Sequence, residues 1–191
     1  MKRIESVVIT GGSSCGKSSV VGRLANLGYP TLQEVARRVL SERKSLPTSI
    51  EEHQWRQKCI AKRQYAAEEQ LLCQPHTEPY AFFDRGLADN PAYCRHLLGF
   101  VPSEIQDLVS KRQYDYVFIL EQLPFKQDGI RLERDEKEAK HIHDLIHQSY
   151  LELGYSPIVA PIMPAATSEE GVDKRIDFIF AQIQKIKGGV V

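Results

Sequence analysis

The sequence predicts an α/β fold of three layers: a mainly parallel sheet with helices on both faces. Two observations carry this. Short apolar runs alternate with amphipathic helical stretches along most of the 191 residues, which implies right-handed crossovers onto a parallel sheet. The first apolar run also passes without a break into a glycine-rich turn and then a helix, a strand-loop-helix unit of the kind such sheets are built from. No internal repeat, low-complexity tract or clear linker interrupts the alternation, so one domain over residues 1–191 is the expected organisation.

Taken in order, Ile4 to Thr10 reads as a buried strand. Ser18 to Asn26 carries Val20, Val21 and Leu24 at helical spacing, and Gly28 before Tyr29-Pro30 supplies a stop. "TLQE", residues 31–34, is a short strand or its end, followed by a helical "VARRVLSERK". Residues 50–73 form a longer helix in which Trp55, Cys59, Ile60, Ala66, Ala67 and Leu71 recur at three- and four-residue steps, a stripe expected to pack in the core. "PYAFFDRG" (79–86), "DYVFILE" (115–121) and "YSPIVAP" (155–161) are further strands. Between and after them run helices over Ala88 to Leu98, Ser103 to Lys111, Glu133 to Leu153 and Glu169 to Ile186.

Composition narrows the function classes. Lysine plus arginine balances aspartate plus glutamate at 25 against 25, so no large positive field holds nucleic acid or an anionic membrane nonspecifically. No apolar stretch approaches bilayer length, and "MKRIESVVIT" has too short an apolar segment for a signal peptide. The four cysteines, Cys15, Cys59, Cys73 and Cys94, lack C-x-x-C spacing and fit free thiols in a reducing cytoplasm. The expectation is a cytoplasmic protein with neither nucleic-acid nor membrane partners; the oligomeric state is left open.

"ITGGSSCGKSSV", residues 9–20, fits G-x-x-x-x-G-K-S/T from Gly11 to Ser18. Gly11, Gly12 and Gly16 let the backbone turn tightly, so that the N–H groups of Gly11, Gly12, Ser13, Ser14, Cys15, Gly16, Lys17 and Ser18 cradle phosphate oxygens at a helix N-terminus. Lys17 reaches the β- and γ-phosphates of a nucleoside triphosphate, and the Ser18 hydroxyl ligates Mg²⁺, with Ser19 substituting or assisting. Cys15 reads as a small residue at a variable loop position.

Mg²⁺ calls for a second acidic group at a neighbouring strand end. Asp84 ends "YAFFD" and Glu121 ends "YVFILE"; Asp84 is preferred because Arg85 follows it at once, placing an acid and a fixed fork of donors together. Glu34 follows the second strand with Arg37 and Arg38 three and four positions on. It either forms a local ion pair or touches an acceptor substrate at the carboxyl edge of the sheet. "KQDGIRLERDE", residues 126–136, combines an Asp-Gly turn with Arg131 and Arg134, and can fold over nucleotide and bring an arginine to developing charge. His143 and His147 stand one helical turn apart, but no carboxylate or cysteine set completes a zinc site.

"GGSSCGKS", "EVARRV", "FFDRGLAD", "QDGIR", "IHDLIHQSYLELGY" and "VDKRIDFI", in that order, run nearly end to end. With them the chain resembles the compact P-loop ATPase and kinase-like family labelled an AAA domain, which is related to the ribosylnicotinamide kinase domain of the bacterial NAD regulator. The resemblance implies a five-stranded P-loop NTPase sheet like that of nucleoside and nucleotide kinases, with Asp84-Arg85 on the strand beside the loop strand and a short lid over about residues 125–137. It also strengthens Glu34, Asp84 and Arg131 as catalytic candidates beside Lys17 and Arg85, with Arg134 toward the nucleotide. A ring-forming AAA motor is not expected, since no room remains for its helical-bundle subdomain. Two functions follow: an ATP- and Mg²⁺-dependent kinase acting on a hydroxyl of a small molecule, or a nucleotide-hydrolysing regulator without such an acceptor. An open, partly apolar pocket between Glu34 and Asp84 would favour the first, and a filled cleft the second.

Overall fold

Strand β1 (Glu5–Thr10) lies at the centre of the sheet because its side chains are apolar on both pleats: Val7 and Ile9 face one way and Val8 the other, all three without solvent exposure. The computed structural model describes residues 3–42, 47, 49–123 and 135–189. Around β1 stand β2 (Thr31–Leu32), β3 (Tyr80–Asp84), β4 (Tyr116–Leu120) and β5 (Ile158–Ala160). The strand order is β2-β3-β1-β4-β5 and every pairing is parallel. The α/β class, the five strands and the position of β3 beside the loop strand are as the sequence predicts. The strands are shorter than their apolar runs, and β2 is reduced to two residues at an edge.

Period-two alternation divides the core into two layers. Helices α1 (Lys17–Asn26) and α7 (Ser168–Lys187) bury Val20, Val21, Leu24, Ile176, Ile179 and Ile183 against Val7, Ile9, Phe82, Phe118 and Leu120. The opposite face, with Val8, Ala81, Phe83 and Val117, is covered by α2 (Val35–Ser41), α3 (Ile50–Cys73), α4 (Asn90–Leu98), α5 (Ser103–Ser110) and α6 (Glu136–Glu152). Three helices begin on caps legible as S/T/D-x-x-E. Ser49, Asp135 and Thr167 accept the amides of Glu52, Glu138 and Glu170 at 3.2, 2.9 and 3.1 Å. The start expected for α6 at Glu133 falls outside the described residues.

One expectation is corrected. The buried face of α3 is not the apolar stripe but Arg56, Gln57, Ile60, Ala61, Gln64 and Glu68. Of the predicted stripe, Ile60 is buried and Cys59, Ala67 and Leu71 pack partly on the core, whereas Trp55 and Ala66 are exposed. The helix is rotated because its polar side chains meet polar groups at the carboxyl edge of the sheet, where hydrogen bonds satisfy several of them. Among the described residues no helix is long and apolar enough to cross a membrane.

Candidate active site

The turn after β1 departs from ordinary backbone where its sequence allows. Gly11 has φ +129° and Gly16, at the N-cap of α1, has φ +78°, conformations that favour glycine. A β-carbon at Gly11 would stand 2.9 Å from the Leu120 carbonyl oxygen. The loop carbonyls are each held by a donor. Those of Gly11 and Gly12 accept from Arg85 Nη1 (3.1 Å) and Lys17 Nζ (2.6 Å), and Ser13 accepts from Gln122 Nε2 (3.3 Å). Ser14 accepts from the Leu123 amide (2.9 Å), Cys15 from Arg175 Nη1, and Gly16 from the Val20 amide (3.1 Å). With its carbonyls tied to donors, the turn offers its N–H groups as the side an anion would meet. One loop amide, Gly12, donates to His143 Nδ1 at 3.1 Å.

Lys17 is buried, and desolvation together with the nearby Arg85 charge holds its ammonium below the ordinary lysine range. The Ser18 hydroxyl donates to Asp84 Oδ2 at 2.6 Å, which singles it out from Ser19, an exposed neighbour. Asp84 is 1% exposed and its other oxygen, Oδ1, is buried with no hydrogen-bond partner among the described residues. Burial pushes this carboxyl above the usual carboxylate range; Lys17 and the Ser18 hydrogen bond oppose that, and Glu34 adds to it. A hydroxyl beside a carboxylate with an open buried oxygen is the donor set a hydrated Mg²⁺ takes, since that ion keeps most of its waters and needs few protein ligands.

Arg85, the residue after β3, has φ +71°, an uncommon conformation for a side chain of its size. Its guanidinium is anchored through two nitrogens: Nε donates to Glu34 Oε1 at 2.8 Å, and Nη1 donates to the Gly11 carbonyl and to Asp89 Oδ2, both at 3.1 Å. The cation also lies 5.3 Å from the centre of the Tyr93 ring. Asp89 is held in turn by Thr10 Oγ1 (2.8 and 2.7 Å) and the Tyr150 hydroxyl (2.7 Å). Burial would raise the Glu34 carboxyl, but the Arg85 and Lys17 charges outweigh it, so Glu34 lies below the ordinary carboxylate range and is ionised at neutral pH. Arg37 stands 4.0 Å from Glu34, a weaker partner than Arg85, so the local ion pair is the lesser of its contacts.

Between Glu34, Asp89 and the phosphate turn opens a cleft of about 340 Å³, walled by Ser13 to Ser19 and by Val35, Leu40, Gln57, Ile60, Gln64 and Tyr93. The fold thus brings together Gly11 to Ser19, Glu34, Asp84 and Arg85. Arg131 and Arg134 lie outside the described residues. Glu121, the other acid weighed at a strand end, accepts the Ile162 amide at 3.0 Å and serves the turn after β5. Asp89, Arg175, Gln57 and Gln64 escape sequence reasoning, and His143, weighed there only as a zinc ligand, meets the Gly12 amide instead. Only Asp89 had a signal: it stands four residues after Arg85 in "DRGLAD", the spacing of a helical ion pair.

A parallel five-stranded sheet carrying a tied phosphate turn on its central strand defines a P-loop fold of the kinase-like kind. A family model described as an AAA domain matches residues 6–168, and the chain belongs to that family. Among solved structures, the chain is similar to the NadR protein in complex with NR at 16% identity and a TM-score of 0.68; the match covers 92% of this chain and 51% of that one. It is also similar to thymidylate kinase from Ehrlichia chaffeensis (13% identity, TM-score 0.64, 95% and 100% covered). Deoxyadenosine kinase from M. mycoides is a third (15%, 0.63, 94% and 99%). The chain spans about half the length of the NadR protein, and at these identities the likeness is one of fold. No curated protein matches the sequence.

Proposed function

We propose that this protein is an ATP-dependent small-molecule kinase that transfers a phosphoryl group to a hydroxyl of a nucleoside-like or other small metabolite. The observation that carries the proposal is the open cleft between Glu34 and the phosphate turn: it is concave, partly apolar and large enough for an acceptor. A protein that only hydrolysed nucleotide would need the phosphate turn of this pocket but not the further wall of Val35, Leu40, Gln57, Ile60 and Tyr93. The kinase-like fold of the solved neighbours supports the same reading.

In this scheme the amides between Gly11 and Ser18, apart from that of Gly12, which His143 holds, take the phosphates of ATP, and Lys17 swings from the Gly12 carbonyl to the β- and γ-phosphates. Ser18 and Asp84 hold Mg²⁺, which when bound neutralises charge on the transferring group. Glu34, ionised and at the cleft wall, accepts a hydrogen bond from the acceptor hydroxyl and orients it; Arg85 fixes Glu34 in place. Asp84, already turned to Ser18, is left to the metal rather than to the hydroxyl proton. Arg131 and Arg134, the arginines expected at the migrating phosphoryl and the nucleotide, lie outside the described residues.

Incubation with Mg-ATP and a panel of nucleosides, vitamins and sugars, with products followed by mass spectrometry, tests this. One hydroxyl compound is expected to gain a phosphoryl group with turnover. ADP release indifferent to every compound would overturn the kinase in favour of a regulatory ATPase.

A further inference from the structure

Helix α6 passes so close to the phosphate turn that Gly12 has no room for a side chain: a β-carbon there would stand 2.9 Å from both the Ala139 carbonyl oxygen and His143 Cβ. This approach brings the His143 ring to the turn, where Nδ1 accepts the Gly12 amide at 3.1 Å and lies 3.9 Å from Cys15 Sγ. A ring nitrogen that accepts from an amide carries no proton, so His143 is the neutral tautomer protonated at Nε2. Gly12 is thereby held at both of its polar groups, the amide by His143 and the carbonyl by Lys17 Nζ at 2.6 Å. Only one of these holds survives nucleotide binding. Lys17 gives up the Gly12 carbonyl when it turns to the β- and γ-phosphates, whereas His143 stands on a helix anchored in the core through Ala139, Ile142, Ile146 and Tyr150.

We propose that His143 is a positioning residue for the phosphate turn, which keeps the Gly12 peptide in its anion-accepting shape after Lys17 has left it for the nucleotide. This rests on the nucleotide-binding part of the function proposed above and holds whether or not an acceptor is then phosphorylated. The other side chains and amides that tie the turn, from Arg85, Gln122, Leu123 and Arg175, act on the carbonyls of Gly11, Ser13, Ser14 and Cys15 and leave Gly12 to His143. Sensitivity to acid follows, because an imidazolium has no lone pair at Nδ1 and would set one N–H against another. Among the described residues, the titratable and charged groups about the ring are Lys17 and Cys15 on the side of the turn and Lys140, Asp144 and His147 on α6 itself. Burial, helped by Lys17, Lys140 and His147 and opposed by Asp144, holds the ring below the ordinary histidine range, so it is neutral at neutral pH.

The test is calorimetric binding of a non-hydrolysable ATP analogue with magnesium to the full chain, from about pH 5 to pH 8, in the wild type and in His143→Asn, His143→Gln and His143→Ala. The Asn oxygen stands as many bonds from the backbone as Nδ1 and can accept the Gly12 amide, whereas the Gln oxygen lies one bond further out. At the alkaline end the Asn variant is expected to keep the wild-type affinity within about twofold, and the Gln and Ala variants to bind about tenfold more weakly. In the free protein Lys17 still holds Gly12, so the melting temperatures of the Asn and Gln variants are expected to match, which separates positioning from a general weakening of the fold. On acidification the wild type is expected to lose affinity relative to the Asn variant, whose own profile reports the titration of the nucleotide and of the rest of the site. Equal affinities in all four proteins, rescue by Gln in place of Asn, a wild-type profile parallel to that of the Asn variant, or a fall in free-protein melting that tracks the loss of affinity would overturn the proposal and keep the turn as the nucleotide site. A wild-type chain that binds no nucleotide would overturn the nucleotide-binding function, and the proposal with it.

Discussion

The Ser18 hydroxyl donates to Asp84 Oδ2 at 2.6 Å, linking the first turn of α1 to the end of β3. Asp84→Asn keeps the size of the side chain and removes the charge that would sit beside Mg²⁺. The variant is expected to lose about a hundredfold to a thousandfold in kcat and most of its dependence on magnesium concentration. Steady-state rates across a magnesium titration check this; an unchanged magnesium dependence would remove Asp84 from the metal site.

Lys17 is buried against its preference for water. Lys17→Ala is expected to abolish the thermal stabilisation given by Mg-ATP without lowering the melting temperature of the free protein, since removing a desolvated ammonium relieves a cost. Differential scanning fluorimetry with and without nucleotide reads both effects. A full nucleotide-induced shift in the variant would contradict the assignment of the phosphate turn.

Gly11→Ala combines a positive φ with a β-carbon 2.9 Å from the backbone oxygen of Leu120. The neighbour is main chain and cannot rotate away, so the expected loss of stability is about 1–3 kcal/mol, together with loss of nucleotide binding. Urea unfolding gives the first and calorimetry the second.

Glu68 is wholly buried, bonded by Gln64, the Tyr114 hydroxyl and the Leu87 amide, and stands 3.0 Å from Arg112 Nε. Burial outweighs these partners and pushes its carboxyl up from the ordinary value to about 7. The folded state therefore holds this proton more tightly than the unfolded chain, and stability falls as pH rises through the window from about 4.5 to about 7. That window corresponds to about 3 kcal/mol. Glu68→Gln is expected to flatten the decline, seen as urea midpoints at pH 5 and pH 8. Superimposable profiles would show that the carboxyl titrates normally.

The fold and the phosphate turn were legible because their signals are local. Apolar runs fix strands, and Gly11, Gly16, Lys17 and Ser18 sit at a spacing that a turn feeding a helix demands. Asp84 and Glu34 were legible as acids at strand ends, where an α/β sheet opens its crevice. The walls of the cleft were not. On α3, Trp55 reads as core but is exposed, while Gln57, Gln64 and Glu68, outside the predicted stripe, are buried, because the face of a helix is chosen by what it meets. His143 and Arg175 reach the turn from helices far along the chain, and no spacing announces such a meeting.

The Arg175 guanidinium on α7 grips the carbonyls of Cys15 and Glu121, so the last helix is a fastening for a turn encoded near the start. A chain emerging from the ribosome therefore holds the whole motif long before it holds the residue that pins it. Truncation within α7 is therefore expected to uncouple a correctly spelled motif from the residue that grips it.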